Sequence, residues 1–495
     1  MTATASNAPA PAIEVHSIDY IPQAERHGKV TDQFTLWFLG NANLATLAVG
    51  LFAMTLGLPL LWVLVAIVLG EVFGTFFMAF HSVQGPRMGI PQLLQSRPQF
   101  GYFGALIPQA IGLFLYVGFN VFNTIIAGQA LATVTGLGSE ISILVMAAAA
   151  LILTIGGYDW IHFVQKWGTY LFLIVFGIFT VGVLLNGNPP AAQVSGGFAW
   201  TPFLVVLVVV ASYQVSQAPY VSDYSRYLPR SSTVRSTFLW SYFGSVAGSF
   251  WMIALGAFLL ASFPGQASIG AVAAGGDTIF NGFGTIVLTT ALVGLVSVIA
   301  LNLYSGSLAM LAAVDTVVPV KPRVTTRAVA IGVILVLGTV GSLILPDDFL
   351  GSYNVFLVIL LYSLIPWTAI NLVDFFFVRR GDYAILEIFR KNGIYGPWNW
   401  RGLLAYVIGI LVMVPFWAIF NGADEIFLGP VARALDGADL SLFIGLPVSA
   451  IVYWRLCRNL DLTQERGLAA SEAAELEALG HAEPDAPPPV ATNTY

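Results

Sequence analysis

Charged side chains are scarce in this sequence: of 495 residues only 9% are Asp, Glu, Lys or Arg, whereas 57% are hydrophobic. Soluble domains carry roughly 25% charged residues, and so thin a supply cannot cover the outside of a compact globule in water. Lipid must therefore be the main solvent. Cysteine is nearly absent; Cys457 alone excludes an intrachain disulfide or a cysteine metal cluster. No His/Glu metal pair and no Ser/His arrangement lies in an apolar run, which argues against a membrane enzyme. Filter-like repeats and charged rings are missing too, which argues against an ion channel. The formal net charge of −6 indicates no nucleic-acid partner. The first 18 residues lack the basic-then-apolar order of a cleavable signal.

What is abundant is long apolar runs. A spanning helix needs about 20 mostly apolar residues, and such runs lie near 34–57, 59–83, 102–135, 139–157, 161–186, 199–221, 236–262, 279–313, 326–345, 349–378, 402–421 and 438–456. Barrel strands would be about ten residues long and strictly alternating, so the expected fold is an all-α membrane protein of roughly twelve transmembrane helices. Residues 1–33 read as a disordered arm and 459–495 as a solvated tail with room for one short helix.

Lysine and arginine set the expected orientation. With the N-terminus in the cytoplasm, Lys29, Arg87, Arg97, Lys166, Arg226, Arg230, Lys321, Arg379, Arg390, Arg401 and Arg466 all fall inside, and Arg433 falls outside. This is the positive-inside pattern, and one miscounted span in the middle would break it. Both termini are therefore expected in the cytoplasm and the chain in the plasma (inner) membrane.

Polar groups interrupt particular runs. The first contains Gly40, Asn41 and Asn43, and the sixth contains Ser212-Tyr213-Gln214-Val215-Ser216-Gln217-Ala218-Pro219. Amides inside a bilayer need partners, and proline removes a backbone donor, so both helices are expected to break there. If residues 34–186 and 199–378 are inverted five-helix repeats, followed by two further helices in 402–456, runs one and six occupy equivalent places. Paired interruptions of that kind point to a midplane binding site; polar packing between helices is the alternative. In the third run Phe119 and Asn123 are one turn apart on one face, beside Tyr116. An aromatic ring with an amide suits a flat, hydrogen-bonding heterocycle, although a core stripe with one polar contact would look the same. Asn302, Tyr304, Ser305 and Ser307 form another polar cluster in the eighth run.

Three segments carry a resemblance. Gly85-Pro86-Arg87-Met88-Gly89-Ile90-Pro91-Gln92 with Ser96-Arg97 and Phe100-Gly101-Tyr102-Phe103-Gly104, then Ser222-Asp223-Tyr224-Ser225-Arg226-Tyr227-Leu228-Pro229, and then Arg379-Arg380-Gly381-Asp382-Tyr383 continuing to Tyr395-Gly396-Pro397-Trp398-Asn399-Trp400-Arg401-Gly402, resemble the purine-cytosine permeases of the nucleobase-cation-symport-1 family. The resemblance implies the leucine-transporter type of fold: two inverted five-helix repeats plus two helices, working by alternating access. It implies a secondary transporter that imports a nucleobase with a cation, either a proton or a sodium ion, and needs no cofactor. By position, Phe119 takes the stacking place and Asn123 the amide place. Asn41, Asn43, Gln214, Gln217, Asn302 and Tyr304 are the further candidate substrate residues.

Two departures bear on substrate and ion. Many relatives have Trp where this chain has Gln217, so one wall of the usual aromatic sandwich is either an amide or supplied by Tyr213 or Tyr220. Cytosine, a purine, allantoin or a hydantoin all stay open as substrates. Sodium-coupled relatives place hydroxyls just before the eighth-helix asparagine, where this chain has Ala300 and Leu301, which favours a proton unless Ser305 or Ser307 substitutes. Glu71, deep in the second run, is the candidate proton carrier, since intramembrane carboxylates default to functional hypotheses; a hydrogen-bonded structural Glu is the alternative. Glu71 and Ser305 are thus the candidate coupling residues. Asp223 with Arg226, and Asp374 with Arg379, read as structural or gate pairs at helix ends.

Overall fold

The computed structural model describes residues 16–478 except 267, 322, 346–349 and 423. Among the described residues, nine helices are long and apolar enough to cross a membrane. A bent pair and two shorter apolar helices complete twelve spans. Span 1 is the pair Asp32–Asn41 and Leu44–Thr55; spans 2 to 6 are Leu60–Met88, Leu106–Thr135, Ser139–Gly156, Tyr158–Asn186 and Trp200–Ser225. Spans 7 to 10 are Val234–Ser262, Phe283–Val317, Val324–Ile344 and Leu350–Val378, and spans 11 and 12 are Trp400–Phe416 and Ser441–Cys457.

The spans assemble in two groups. Span 7 lies against spans 1 and 2, and span 2 against span 6; spans 3, 4, 8 and 9 all pack on one another. Span 5 joins spans 1 and 8, and span 10 joins spans 6 and 3. Exchanging each span n for span n+5 turns the contact of span 1 with span 7 into that of span 6 with span 2, those of span 5 with spans 1 and 8 into those of span 10 with spans 6 and 3, and the set among spans 3, 4, 8 and 9 into itself. Because five is odd, partners in that exchange cross the membrane in opposite directions, which is the geometry of an inverted repeat.

Glycine makes these contacts close. A Cβ on Gly248 of span 7 would sit 2.3 Å from the Phe38 carbonyl oxygen of span 1, and one on Gly74 of span 2 would sit 2.6 Å from the Ala211 carbonyl oxygen of span 6. Gly244 and Gly248, like Gly70 and Gly74, are four residues apart on one helix face, the small-residue spacing that lets membrane helices meet backbone to backbone.

Three boundaries differ from expectation. The eleventh run does not stay helical to 421: the helix ends by Phe416, and Ala418–Asn421 pairs with Asp424–Leu428 as an antiparallel hairpin. Pro415 sits in the closing turn, and Asn421-Gly422, with Gly422 at φ 62°, supplies turn chemistry that the apolar content masked. Span 8 starts at Phe283 rather than 279, behind Gly282 at φ 90°, and a separate helix, Ser268–Asp277, precedes it. The arm is not free over its described part. Ile18 and Ile21 are buried, and the Arg26 guanidinium donates to the carbonyls of Ile21 (2.8 Å) and Pro86 (2.7 Å).

The stretch after span 12 is likewise more than a solvated tail. Helix Thr463–Ala478 packs on Ile385–Ile388, and Arg379 pairs with both Asp374 and Glu465. Burial pushes the Glu465 carboxyl up, against the pull of the Arg379 guanidinium.

Candidate functional site

Span 1 breaks at Ala42–Asn43, with a 51° bend between its halves. Asn43 adopts extended backbone and its Oδ1 accepts from the backbone N–H groups of Ala45 (2.9 Å) and Thr46 (3.1 Å), capping the second half. Span 6 loses its α-helical ladder after Val215, passes through a turn and the single 3-10 turn Ala218–Tyr220, and resumes at Val221–Ser225. Pro219 has no N–H to donate there. The bend in span 6 is slighter, and its two halves remain one run, Trp200–Ser225.

Between these interruptions and spans 3 and 8 lies a cavity of about 40 Å³. That is room for about three water molecules. Its wall takes Trp37 and Gly40 from span 1, Phe119 and Asn123 from span 3, and Val298, Leu301 and Asn302 from span 8. Span 6 adds Tyr213, Gln217, Tyr220 and Tyr224, a spacing of four, three and four that keeps all four on one helical face.

Aromatic rings meet edge to face around this space, as Phe119 does with Tyr213 at 6.2 Å and Tyr116 with Tyr220 at 4.6 Å. The Tyr220 hydroxyl donates to Asn302 Oδ1 (2.6 Å), which orients that amide. Its Nδ2 is buried without a hydrogen-bond partner among the described residues. A buried donor left unpaired is costly, so Asn302 is poised to donate to whatever the cavity takes. Asn123, 2% exposed on the facing helix, can both donate and accept. The combination is aromatic faces with amides at their edges, which suits a small planar heterocycle.

A polar chain leads away from this cavity. Gln217 Nε2 donates to Asn41 Oδ1 (2.5 Å) and Asn41 Nδ2 donates back to Gln217 Oε1 (3.0 Å). Asn41 also reaches Ser245 Oγ (3.2 Å), Ser245 donates to Gln214 Oε1 (2.7 Å), and Gln214 Nε2 donates to Glu71 Oε2 (2.9 Å). Ser249 donates to the same carboxylate oxygen at 2.6 Å. Glu71 is 1% exposed, and its Oε1 lacks a hydrogen-bond partner among the described residues.

Of the residues expected at the site, Phe119, Asn123, Gln217 and Asn302 line the cavity, and Asn41 stands directly behind Gln217. Others fall elsewhere. Asn43 is occupied by capping and by its bond to the Gly40 carbonyl. Gln214 belongs to the Glu71 end of the chain. Tyr304 accepts from Arg226 (3.1 Å) and lies tilted against the Tyr224 ring, outside the cavity wall. Ser305 lies against Tyr224 and Asp223 and not beside Glu71, so the two expected coupling residues do not meet. Trp37 and Tyr224 were not expected; the spacing of Trp37 four before Asn41, and of Tyr224 four after Tyr220, was the available signal.

Comparison with known proteins gives consistent findings. The family model described as permease for cytosine/purines, uracil, thiamine, allantoin matches residues 20–445. A Bacillus subtilis (strain 168) protein classed among the purine-cytosine permeases is 37% identical over 447 residues, covering 90% of this chain and 96% of its own. The purine-cytosine permease of Emericella nidulans is 21% identical over 460 residues, covering 89% and 87%. The solved closed conformation of a nucleobase-cation-symport-1 family transporter with bromovinylhydantoin bound shares the fold, with a TM-score of 0.75 at 20% identity over 93% of this chain and 99% of that one.

Proposed function

Because the chain belongs to the family of permeases for cytosine/purines, uracil, thiamine and allantoin, we propose that it imports a nucleobase, cytosine or a purine, by symport with a proton. The arginine-rich face, which carries both described ends of the chain, faces the cytoplasm in this reading. The observation that carries it is the cavity at the two interrupted spans, where the unpaired Nδ2 of Asn302 and the amide of Asn123 stand among the rings of Phe119, Tyr213 and Tyr220. A cavity of about 40 Å³ is closed around little more than water, so the base enters and leaves by rearrangement of the groups of spans. That is alternating access.

The proton reading is supported by what surrounds Asn302 and Glu71. Ala300 and Leu301 bring no hydroxyl to the span 8 side, and Ser307 is turned back onto the Tyr304 carbonyl (2.7 Å). A sodium ion wants several oxygen ligands, whereas a proton needs one titratable group. Glu71 supplies that group, and the chain Gln214, Ser245, Asn41 and Gln217 connects it to the cavity. A base that displaces or pulls on Gln217 would alter the hydrogen bonding at Glu71, which couples the two loads.

A second reading, symport of allantoin or a hydantoin, is favoured by Gln217 where many relatives have Trp. An amide wall can bond the edge of a smaller, carbonyl-rich ring. The test is uptake into proteoliposomes of labelled cytosine, adenine, hypoxanthine, allantoin and hydantoin under an imposed pH gradient or an imposed sodium gradient. The proposal expects a nucleobase to accumulate with the pH gradient alone. Accumulation that follows only the sodium gradient would overturn the proton assignment, and accumulation of allantoin or hydantoin alone would select the second reading.

A further inference from the structure

A second cavity, of about 340 Å³, opens at the arginine-rich face, well away from the midplane site. Five separate segments enclose it: Tyr20 of the N-terminal arm, Arg87 at the end of span 2, Arg230 between spans 6 and 7, the Gly381–Ile385 stretch after span 10, and Arg466 on helix Thr463–Ala478. That helix faces the space with Ala469, Ala470 and Ala473, side chains too small to fill it.

The arginines are the informative feature. Four guanidinium groups elsewhere are matched by carboxylates: Arg97 pairs with Asp315, Arg379 with Asp374 and Glu465, Arg390 with Glu387 and Arg433 with Glu425. The side chains of Arg87, Arg230 and Arg466 make no hydrogen bond or ion pair among the described residues, yet all three converge on one concave space. Among the described residues Asp382 is the one carboxylate on the wall, which leaves the three arginines with two positive charges in excess. Holding like charges together costs energy unless an anion offsets them.

We propose that this cavity is a binding site for a phosphate monoester. Such a group carries about −1.5 to −2 charges near neutral pH, which matches the excess, and guanidinium is the side chain best shaped to hold phosphate through paired hydrogen bonds. The volume sits at the small end of the roughly 300–1,000 Å³ range of ligand pockets, enough for a phosphate with a modest organic group. The same chemistry is offered by a soluble phosphorylated metabolite and by the headgroup of an anionic lipid, since basic pockets beside membrane helices also take lipid phosphates.

Occupancy would have a mechanical consequence. Spans 2, 6 and 7 belong to one packing group, and an anion held by Arg87, Arg230 and Arg466 would tie the ends of that group to the C-terminal helix. It would restrain any rearrangement that opens this face. This consequence, unlike the binding site, rests on the alternating-access reading, so binding is measured directly and without transport.

The experiment takes the full-length protein in phosphatidylcholine nanodiscs and titrates ribose 5-phosphate, with sodium chloride at matched ionic strength as control. A parallel arm replaces part of the phosphatidylcholine by phosphatidic acid. Thermal unfolding and calorimetric titration are read for wild type, Arg87→Gln, Arg466→Gln and Ala470→Trp, the last of which fills the space without removing charge. The expected result is a raised unfolding midpoint in one arm, and an affinity loss of roughly tenfold or more in all three variants. Their ligand-free midpoints should stay near wild type. A gain in the ribose 5-phosphate arm assigns a soluble ligand, and a gain in the phosphatidic acid arm assigns a lipid. Stabilisation in neither arm, or stabilisation that is equal in wild type and all three variants, overturns the proposal.

Discussion

Asn43 and Asn302 are both amides inside apolar helices, and the structure gives them opposite tasks. Asn43 satisfies backbone donors exposed by the break in span 1, whereas Asn302 Nδ2, beside the cavity, has no hydrogen-bond partner among the described residues. Composition flagged both, since any amide in lipid must find partners, but only the three-dimensional hydrogen bonding separates a cap from a cavity-facing group. The same holds for Gln214 and Gln217, three residues apart: one turns to Glu71 and the other to the cavity. Phe119 and Asn123 were legible because helical spacing places them on one face, and Trp37 and Tyr224 share that kind of spacing with expected residues. Glu71 yields a prediction at this scale. Glu71→Gln keeps the hydrogen bonds from Gln214 and Ser249 possible while abolishing titration, so counterflow exchange of labelled base should persist while accumulation driven by a pH gradient falls to the gradient-free level. Gradient-driven accumulation equal to wild type would remove Glu71 from the coupling.

Helix positions and breaks were readable because length, hydropathy and proline act locally. The hairpin after span 11 was not, because Ala418–Asn421 is as apolar as a helix end and its pairing with Asp424–Leu428 is a tertiary event. Nor was the folding of the arm on itself, where His16 meets Asp19 and Glu25 at 2.5 Å each. Burial pulls the His16 imidazole down, but hydrogen bonds to those two carboxylates outweigh it and raise it to about 10 from an ordinary 6.5. The folded arm therefore binds a proton that the unfolded arm would give up. Its local structure is most stable below about pH 6.5 and weakens as pH rises toward about 10. Hydrogen exchange over residues 16–27 should accelerate across that window in wild type and show a flatter profile in His16→Gln; identical profiles would refute the linkage. The span 1 and span 7 contact gives a second prediction. Gly248→Val forces a side chain toward the Phe38 carbonyl and should cost about 1–3 kcal/mol or more, read as a lowered unfolding midpoint. An unchanged midpoint would contradict the close packing.

At the scale of the whole molecule, the contact of span 1 with span 7 matches that of span 6 with span 2, and span 5 stands to spans 1 and 8 as span 10 stands to spans 6 and 3, which is what makes the two interrupted spans equivalents rather than two separate accidents. The sequence carried this only as paired interruptions. The packing supplies the reason they converge: span 6 lies on span 2 and span 1 on span 7, bringing both breaks to the walls of spans 3 and 8. The central claim is that this convergence holds a planar heterocycle between Phe119, Asn123 and Asn302. Equilibrium binding of the best-bound labelled base to purified wild type, Asn123→Ala and Asn302→Ala tests it most directly. Each variant should bind roughly tenfold or more weakly with an unfolding midpoint close to wild type, and wild-type affinity in both variants would contradict the account.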